Sequence, residues 1–120
     1  MTTMTGNPVL SAGTLAGDSV KNKQGETLGS IKDIMIDTGA GKVAYAVLDF
    51  GGFLGIGNKL FAVPWSALRV CAEDKCCYMD ADKELLEQAE GFDQDNWPNF
   101  ADQRWGEGIH EHYRAQPYWI

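Results

Sequence analysis

Short apolar stretches separated by glycine-containing turns occupy the first two-thirds of the chain. Residues 28–37 are rich in β-branched side chains and end at a Gly-Ala-Gly turn, which is typical of a hairpin. Residues 42–50 are apolar at both odd and even positions, so this strand is predicted to be covered on both faces. Further strands are predicted at 15–20, 59–63, 69–72 and 76–79. The pattern therefore predicts about six short strands, as in a small barrel or sandwich.

The last third of the chain differs from the rest in composition. A short helix is predicted from residue 82 to residue 89, and Gly91 ends it. Residues 92–120 hold seven of the thirteen aromatic residues but only two large aliphatic ones, Ile109 and Ile120. Such a segment cannot form its own core, yet it is too aromatic for a disordered tail. We expect its rings to dock on the barrel of the same chain or on a second copy.

A series of motifs runs through residues 25–65: G-E-x-x-G, D-x-x-I-D, G-x-V-A-Y-A-V and F-A-V-P-W. In this combination they resemble the PRC-barrel family, over about residues 15–80. The end of the chain, with Asn96-Trp97-Pro98 and Trp105-Gly106, is similar to the extension of stand-alone bacterial members. The family is named for the cytoplasmic domain of the photosynthetic reaction-centre H subunit, whose transmembrane helix has no counterpart in this sequence.

The resemblance implies a six-stranded β-barrel that serves protein–protein contact and has no catalytic residues. It also suggests a link to stress response, which some stand-alone members have. The expected fold class is mainly β: a small PRC-type barrel with a short helix and an aromatic-rich C-terminal extension. The expected organisation is a flexible N-terminal segment at 1–14, a barrel at 15–80, and the helix with the docked extension at 81–120. We expect a non-enzymatic adaptor without a cofactor.

Charge restricts the choice of partners. Residues 1–60 are neutral overall, whereas residues 61–120 hold five basic and twelve acidic residues and carry the whole net charge of −7. Without a basic stripe, the chain has little to offer phosphate backbones or anionic lipid. It also has no apolar run long enough to span a bilayer and no signal-peptide pattern. We therefore expect a cytoplasmic protein that binds neither nucleic acid nor membrane.

The candidate interface residues are aromatic or aliphatic. The glycine-rich loop 51–57 lacks a following helix that would suit phosphate, but three of its residues are large and apolar and would form a contact patch. Large rings dominate interface energetics, so tryptophans of the C-terminal segment are the expected anchors. The predicted interface set is Phe53, Leu54, Ile56, Trp97, Trp105 and Trp119. These residues favour a homodimer that also binds an unidentified protein partner.

Two groups of possible metal ligands suggest an alternative function. The spacing of Cys71, Cys76 and Cys77 is not the paired spacing of zinc knuckles. The favoured interpretation is that one of them is a small core residue, with Cys71 opposite Cys76 or Cys77 across a hairpin. His110 and His112 would share a face on a strand but diverge on a helix, so they are weak candidates. The alternative function is therefore a small-molecule or metal-binding protein that uses the barrel mouth or this histidine pair.

Overall fold

The computed structural model describes residues 9–50, 59–71, 76–81 and 83–120, apart from the side chain of Lys83. Six strands and three short α-helices follow one another along the described chain, with one 3-10 turn between the fourth and fifth strands. In chain order they are α1 (Ala12–Leu15), β1 (Ser19–Lys21), β2 (Thr27–Asp37), β3 (Lys42–Asp49), β4 (Leu60–Pro64), the 3-10 turn (Trp65–Ala67), β5 (Leu68–Cys71), β6 (Cys76–Met79), α2 (Lys83–Glu87) and α3 (Gln103–His112). The prediction of a mainly β fold with six strands is confirmed.

The six strands form one sheet in the order β4-β3-β2-β1-β6-β5. All neighbours are antiparallel except β1 and β6, which run parallel. The β1–β2 pairing has one register shift and the β2–β3 pairing has two; such bulges bend a strand and increase its twist. Within the described residues the curved sheet does not close into a full barrel, because β4 and β5 are its two edges and only the 3-10 turn joins them.

Strand β3 is buried on both faces, as its apolar pattern predicts. Ala46 and Leu48 belong to the main core cluster on one face, together with Phe50 just after the strand. Tyr45 and Val47 lie on the opposite face and are also almost inaccessible to solvent. Because a single sheet buries only one face against its own core, something else must cover the second face. The C-terminal segment does so.

One local prediction is wrong. Leu15 does not begin a strand but ends α1, which Ser11 caps by accepting a hydrogen bond from the backbone of Gly13 at 3.1 Å. The last 29 residues include glycine, proline and asparagine, which argue against one long helix over the whole segment. The ten-residue helix α3 forms nevertheless, and the side chain of Asp102 caps its first turn. Tertiary contacts outweigh the low helix propensity of its two glycines.

Candidate functional site

The C-terminal extension, residues 92–120, covers the outer face of β3 around one side chain, Tyr45. The centre of the Tyr45 ring lies 5.2 Å from that of Trp105 and 5.4 Å from that of His110. Phe100 and Tyr118 complete the ring of contacts, each at 5.9 Å. Such tilted and edge-on arrangements are the favourable ones for aromatic pairs. The aromatic side chains of the extension therefore pack against the outer face of β3 in the same chain.

Helix α3 approaches the sheet closely because it has a glycine at the point of contact. A Cβ atom on Gly106 would lie 2.5 Å from the hydroxyl oxygen of Tyr45 and 3.1 Å from the ring of Trp119. One turn later, His110 is almost completely buried, and its Nδ1 donates a hydrogen bond to the Gly106 carbonyl at 2.7 Å. Neither Nε2 of His110 nor the hydroxyl of Tyr45 has a hydrogen-bond partner among the described residues. The contact thus rests on ring packing rather than on polar pairing.

Polar contacts fasten the extension at its two ends. Near its start, Phe92 exchanges two backbone hydrogen bonds with Leu60, at 2.8 and 2.9 Å, along the outer edge of β4. Near its end, the Tyr118 hydroxyl donates to Asp37 at 2.6 Å, and Lys42 donates to the Tyr118 carbonyl at 3.4 Å. The Tyr118 bond lowers the pKa of Asp37 and raises the pKa of Tyr118 to about 12. The extension is therefore tied both to the sheet edge and to the β2–β3 hairpin.

The three predicted tryptophan anchors all lie in this extension and are half-buried against other residues of the same chain. Trp97 and Trp105 flank Phe100, with ring centres 6.0 and 4.9 Å from it. Trp119 lies edge-on to His110 at 5.2 Å. Their partners are thus found within one chain. The other three predicted interface residues, Phe53, Leu54 and Ile56, lie outside the described residues.

The two histidines are not brought together. Helix α3 points them in different directions: His110 bonds within the helix, whereas Nε2 of His112 donates to the carbonyl of Leu85 in α2 at 2.8 Å. Among the residues that the structure describes, no group of three or more metal-ligating side chains is found. The helical placement answers the question that the sequence left open, since an H-x-H pair converges only on a strand.

The cysteines form no such group either. Cys71 and Cys76 are register partners across the β5–β6 hairpin, and Cys77 lies in the core cluster. Cys76 and Cys77 are buried as free thiols. Burial is the main cause that raises the pKa of Cys77 to about 11, so this thiol stays protonated and unreactive at neutral pH. Cys77 is therefore a small core residue, as was expected for one of the three, and Cys71 lies opposite Cys76.

An open cleft of about 1260 Å³ lies at one end of the sheet, where β1 and β6 finish and β5 begins. Helix α2 forms one wall, and the chain after α3, residues 113–120, forms another. Its lining combines apolar side chains such as Leu68, Met79 and Tyr113 with charged ones. Tyr113 is buried, and its hydroxyl has no hydrogen-bond partner among the described residues. Sequence reasoning named a barrel mouth but none of these residues, because they come from five separate segments that share no pattern.

The wall formed by residues 113–120 begins with an uncommon backbone conformation. Arg114 has φ of 55°, and within the described part of the chain it is the one non-glycine residue with positive φ. The amides of Arg114 and Ala115 donate to the carbonyls of Glu111 and His110, at 3.1 and 2.8 Å. This pattern is the Schellman motif, in which the left-handed position is usually glycine. The side chain of Arg114 lines the cleft and is exposed.

These features define a small, mainly β domain whose curved sheet carries a docked C-terminal extension and an open cleft at one end. The PRC-barrel domain family matches residues 8–86, which is more than half of the chain. The chain belongs to this family, as the motifs of residues 25–65 predict. No curated protein is significantly similar to it. None of the described helices has the length and apolarity that crossing a membrane requires.

Proposed function

We propose that this protein is a non-enzymatic interaction domain, an adaptor that holds a segment of a partner protein in the cleft at the end of its sheet. The observation that carries the proposal is the size and openness of that cleft. Sites for small molecules usually have volumes of about 300–1000 Å³ and enclose most of the ligand. A larger, open cleft with both apolar and charged walls suits an extended chain, which needs apolar contacts and polar partners along its length.

The alternative of metal binding loses its main support. Its candidate pair was His110 and His112, but the ring of His110 bonds to Gly106 within α3, whereas the ring of His112 bonds to Leu85 in α2. Because residues two apart on a helix point about 200° away from each other, the two rings do not converge on one ion while α3 stays helical. The small-molecule alternative shares the cleft with the proposed function, so the binding experiment below separates the two.

The homodimer is the second part of the proposal, and its support is narrower than the sequence suggests. A doubly apolar strand and an aromatic extension can both be covered by a second copy, but here β3 and the extension pack against each other within one chain. The remaining support is the apolar loop that contains Phe53, Leu54 and Ile56. Native mass spectrometry of the untagged protein tests it: a dimer that Phe53→Asp converts to a 13.2 kDa monomer is expected. A wild-type monomer would overturn it.

The cleft is tested by selecting peptides from a random peptide library displayed on phage, with the full-length protein as bait. Selected peptides are expected to perturb the backbone amide signals of cleft residues in nuclear magnetic resonance spectra. A bulky side chain should block them: Gln88→Trp places an indole on the cleft wall, whereas Gln103→Trp changes an exposed glutamine that does not line the cleft. Loss of binding in the first variant alone supports the proposal. Failure to enrich any peptide, or equal binding by both variants, would contradict it.

A further inference from the structure

The αL conformation of Arg114 costs stability that a glycine would not. Left-handed backbone brings Cβ close to the following carbonyl oxygen, a penalty that glycine avoids. Nothing in the local hydrogen bonding requires an arginine, because both bonds of the Schellman motif are made by backbone groups. A strained non-glycine residue that surrounding structure maintains is a sign that its side chain has a use.

No ion pair within the described structure gives the Arg114 side chain a structural role. It is exposed, and it forms no ion pair with any carboxylate among the described residues. Arg69, at the start of β5, lines the same cleft and is in the same situation. The third cation of the lining, Lys23, is already paired with Asp80 at 3.2 Å. The cleft therefore presents two uncommitted guanidinium groups.

The two guanidinium groups are opposite in sign to the net charge of the whole protein. The chain has a net charge of −7, yet the described charged side chains of the cleft are three basic and two acidic ones. After the Lys23–Asp80 pair, Arg69 and Arg114 are opposed by Glu84 alone. The described lining of the cleft thus carries a small excess of positive charge, and its two arginines are donors that can bind a negatively charged segment.

We propose that Arg114, assisted by Arg69, binds a carboxylate of the partner segment, so that the cleft selects an acidic, extended peptide. This inference rests on the proposed function, since it specifies the chemistry of the segment that the cleft holds. A guanidinium offers parallel N–H donors in a planar fork that matches both oxygens of one carboxylate. Two such groups on one cleft would fix both the charge and the direction of the bound chain.

The test uses the full-length protein and the same random peptide library. Peptides selected by the wild type are expected to be enriched in Asp and Glu, and the tightest one then serves as the probe in calorimetric titration. Arg114→Gly should weaken its binding about tenfold or more, as expected for loss of a charge-assisted bidentate contact. The same substitution should raise the midpoint of thermal unfolding, because glycine relieves the αL strain. A residue retained only for structure would not show these two opposite effects.

Three further variants make the result specific. Arg114→Gln removes the charge but keeps a side chain in αL, so it should weaken binding without the gain in stability. Arg69→Gln should also weaken binding. Arg104→Gln makes the same change in charge on an exposed residue of α3 that does not line the cleft, and it should bind as the wild type does.

The outcomes separate this inference from the proposed function. If peptides are enriched and bind the cleft but show no preference for Asp and Glu, the inference is wrong and the proposed function stands. Equal weakening by Arg104→Gln and Arg114→Gln would also overturn it, because the effect would then come from overall charge. If no peptide is enriched, the proposed function and the inference that rests on it both fail.

Discussion

The hydroxyl oxygen of Tyr45 on β3 lies 2.5 Å from the position that a Cβ atom on Gly106 of α3 would occupy. Real Cβ atoms essentially never lie so close to another atom, so in Gly106→Ala either α3 or the buried Tyr45 side chain must shift. Overpacking of this kind costs about 1–3 kcal/mol. We expect the free energy of unfolding, measured by urea denaturation, to fall by about 2 kcal/mol.

The same helix and the same tyrosine supply the controls. Gly108→Ala has no atom within 4 Å of its new Cβ, so it should stabilise the protein by about 0.5–1 kcal/mol through helix propensity. Tyr45→Phe removes a buried hydroxyl that has no hydrogen-bond partner, and it should cost little. Combined with Gly106→Ala, it should recover most of the lost stability. A double variant as unstable as Gly106→Ala alone would show that the hydroxyl is not the obstacle.

Trp105 distinguishes docking within one chain from docking between chains. Its ring packs against Tyr45 and Phe100 of the same molecule. Trp105→Ala should therefore lower the free energy of unfolding by about 2–3 kcal/mol, less than a fully buried tryptophan would. Its mass in solution, measured by light scattering, should equal that of the wild type. A variant that keeps its stability but loses a subunit would place this ring in an interface between copies instead.

The bond between Tyr118 and Asp37 predicts a dependence on pH at both extremes. The folded protein holds the pKa of Asp37 below its usual 3.8, so this contribution to stability is present above that value and is lost as the pH falls through the lowered pKa. It raises the pKa of Tyr118 from 10 to about 12, so that contribution is present below pH 10 and is lost as the pH rises toward 12. Tyr118→Phe should be less stable than the wild type at neutral pH.

The difference between the two proteins should shrink in strong acid and above pH 10, as measured by urea denaturation across the pH range. Asp33→Asn controls for the titration of a carboxylate in general, because Asp33 also lies on β2 but is exposed and does not contact Tyr118. A difference between wild type and Tyr118→Phe that stays constant with pH would mean that the hydrogen bond does not contribute in solution.

Much of the fold can be predicted because local sequence patterns determine its strands. The β-branched run of β2 and the two-sided apolar pattern of β3 lead directly to strands that the structure contains. Helix α3 was not predictable in the same way. Gly106 and Gly108 lower its propensity, and it forms because Gly106 allows a close approach to Tyr45, sixty-one positions earlier in the chain. Information of this kind lies in a pair of distant residues rather than in any one segment.

The candidate site was harder still to predict. The aromatic content of residues 92–120 indicates that the extension docks, but it does not indicate on which surface. The cleft is assembled from turns, strand ends and the segment after α3, so its charges are neighbours only after folding. Arg114 shows the difficulty most clearly: in sequence it is one of five basic residues in an acidic half, and only its φ of 55° sets it apart.

Removal of the whole extension should have a larger effect than any single substitution. Without residues 92–120, the ring of Tyr45 loses its cover and Leu60 loses both backbone hydrogen bonds at the outer edge of β4. An uncovered apolar face beside an unpaired edge strand is a template for association. The truncated protein is therefore expected to aggregate, or to unfold at a much lower temperature. Deletion of 118–120 alone removes the Asp37 contact but keeps Trp105 and the Phe92 pairing, so it should stay soluble with reduced stability. A truncation at residue 91 that is soluble and as stable as the full chain would contradict a docked extension.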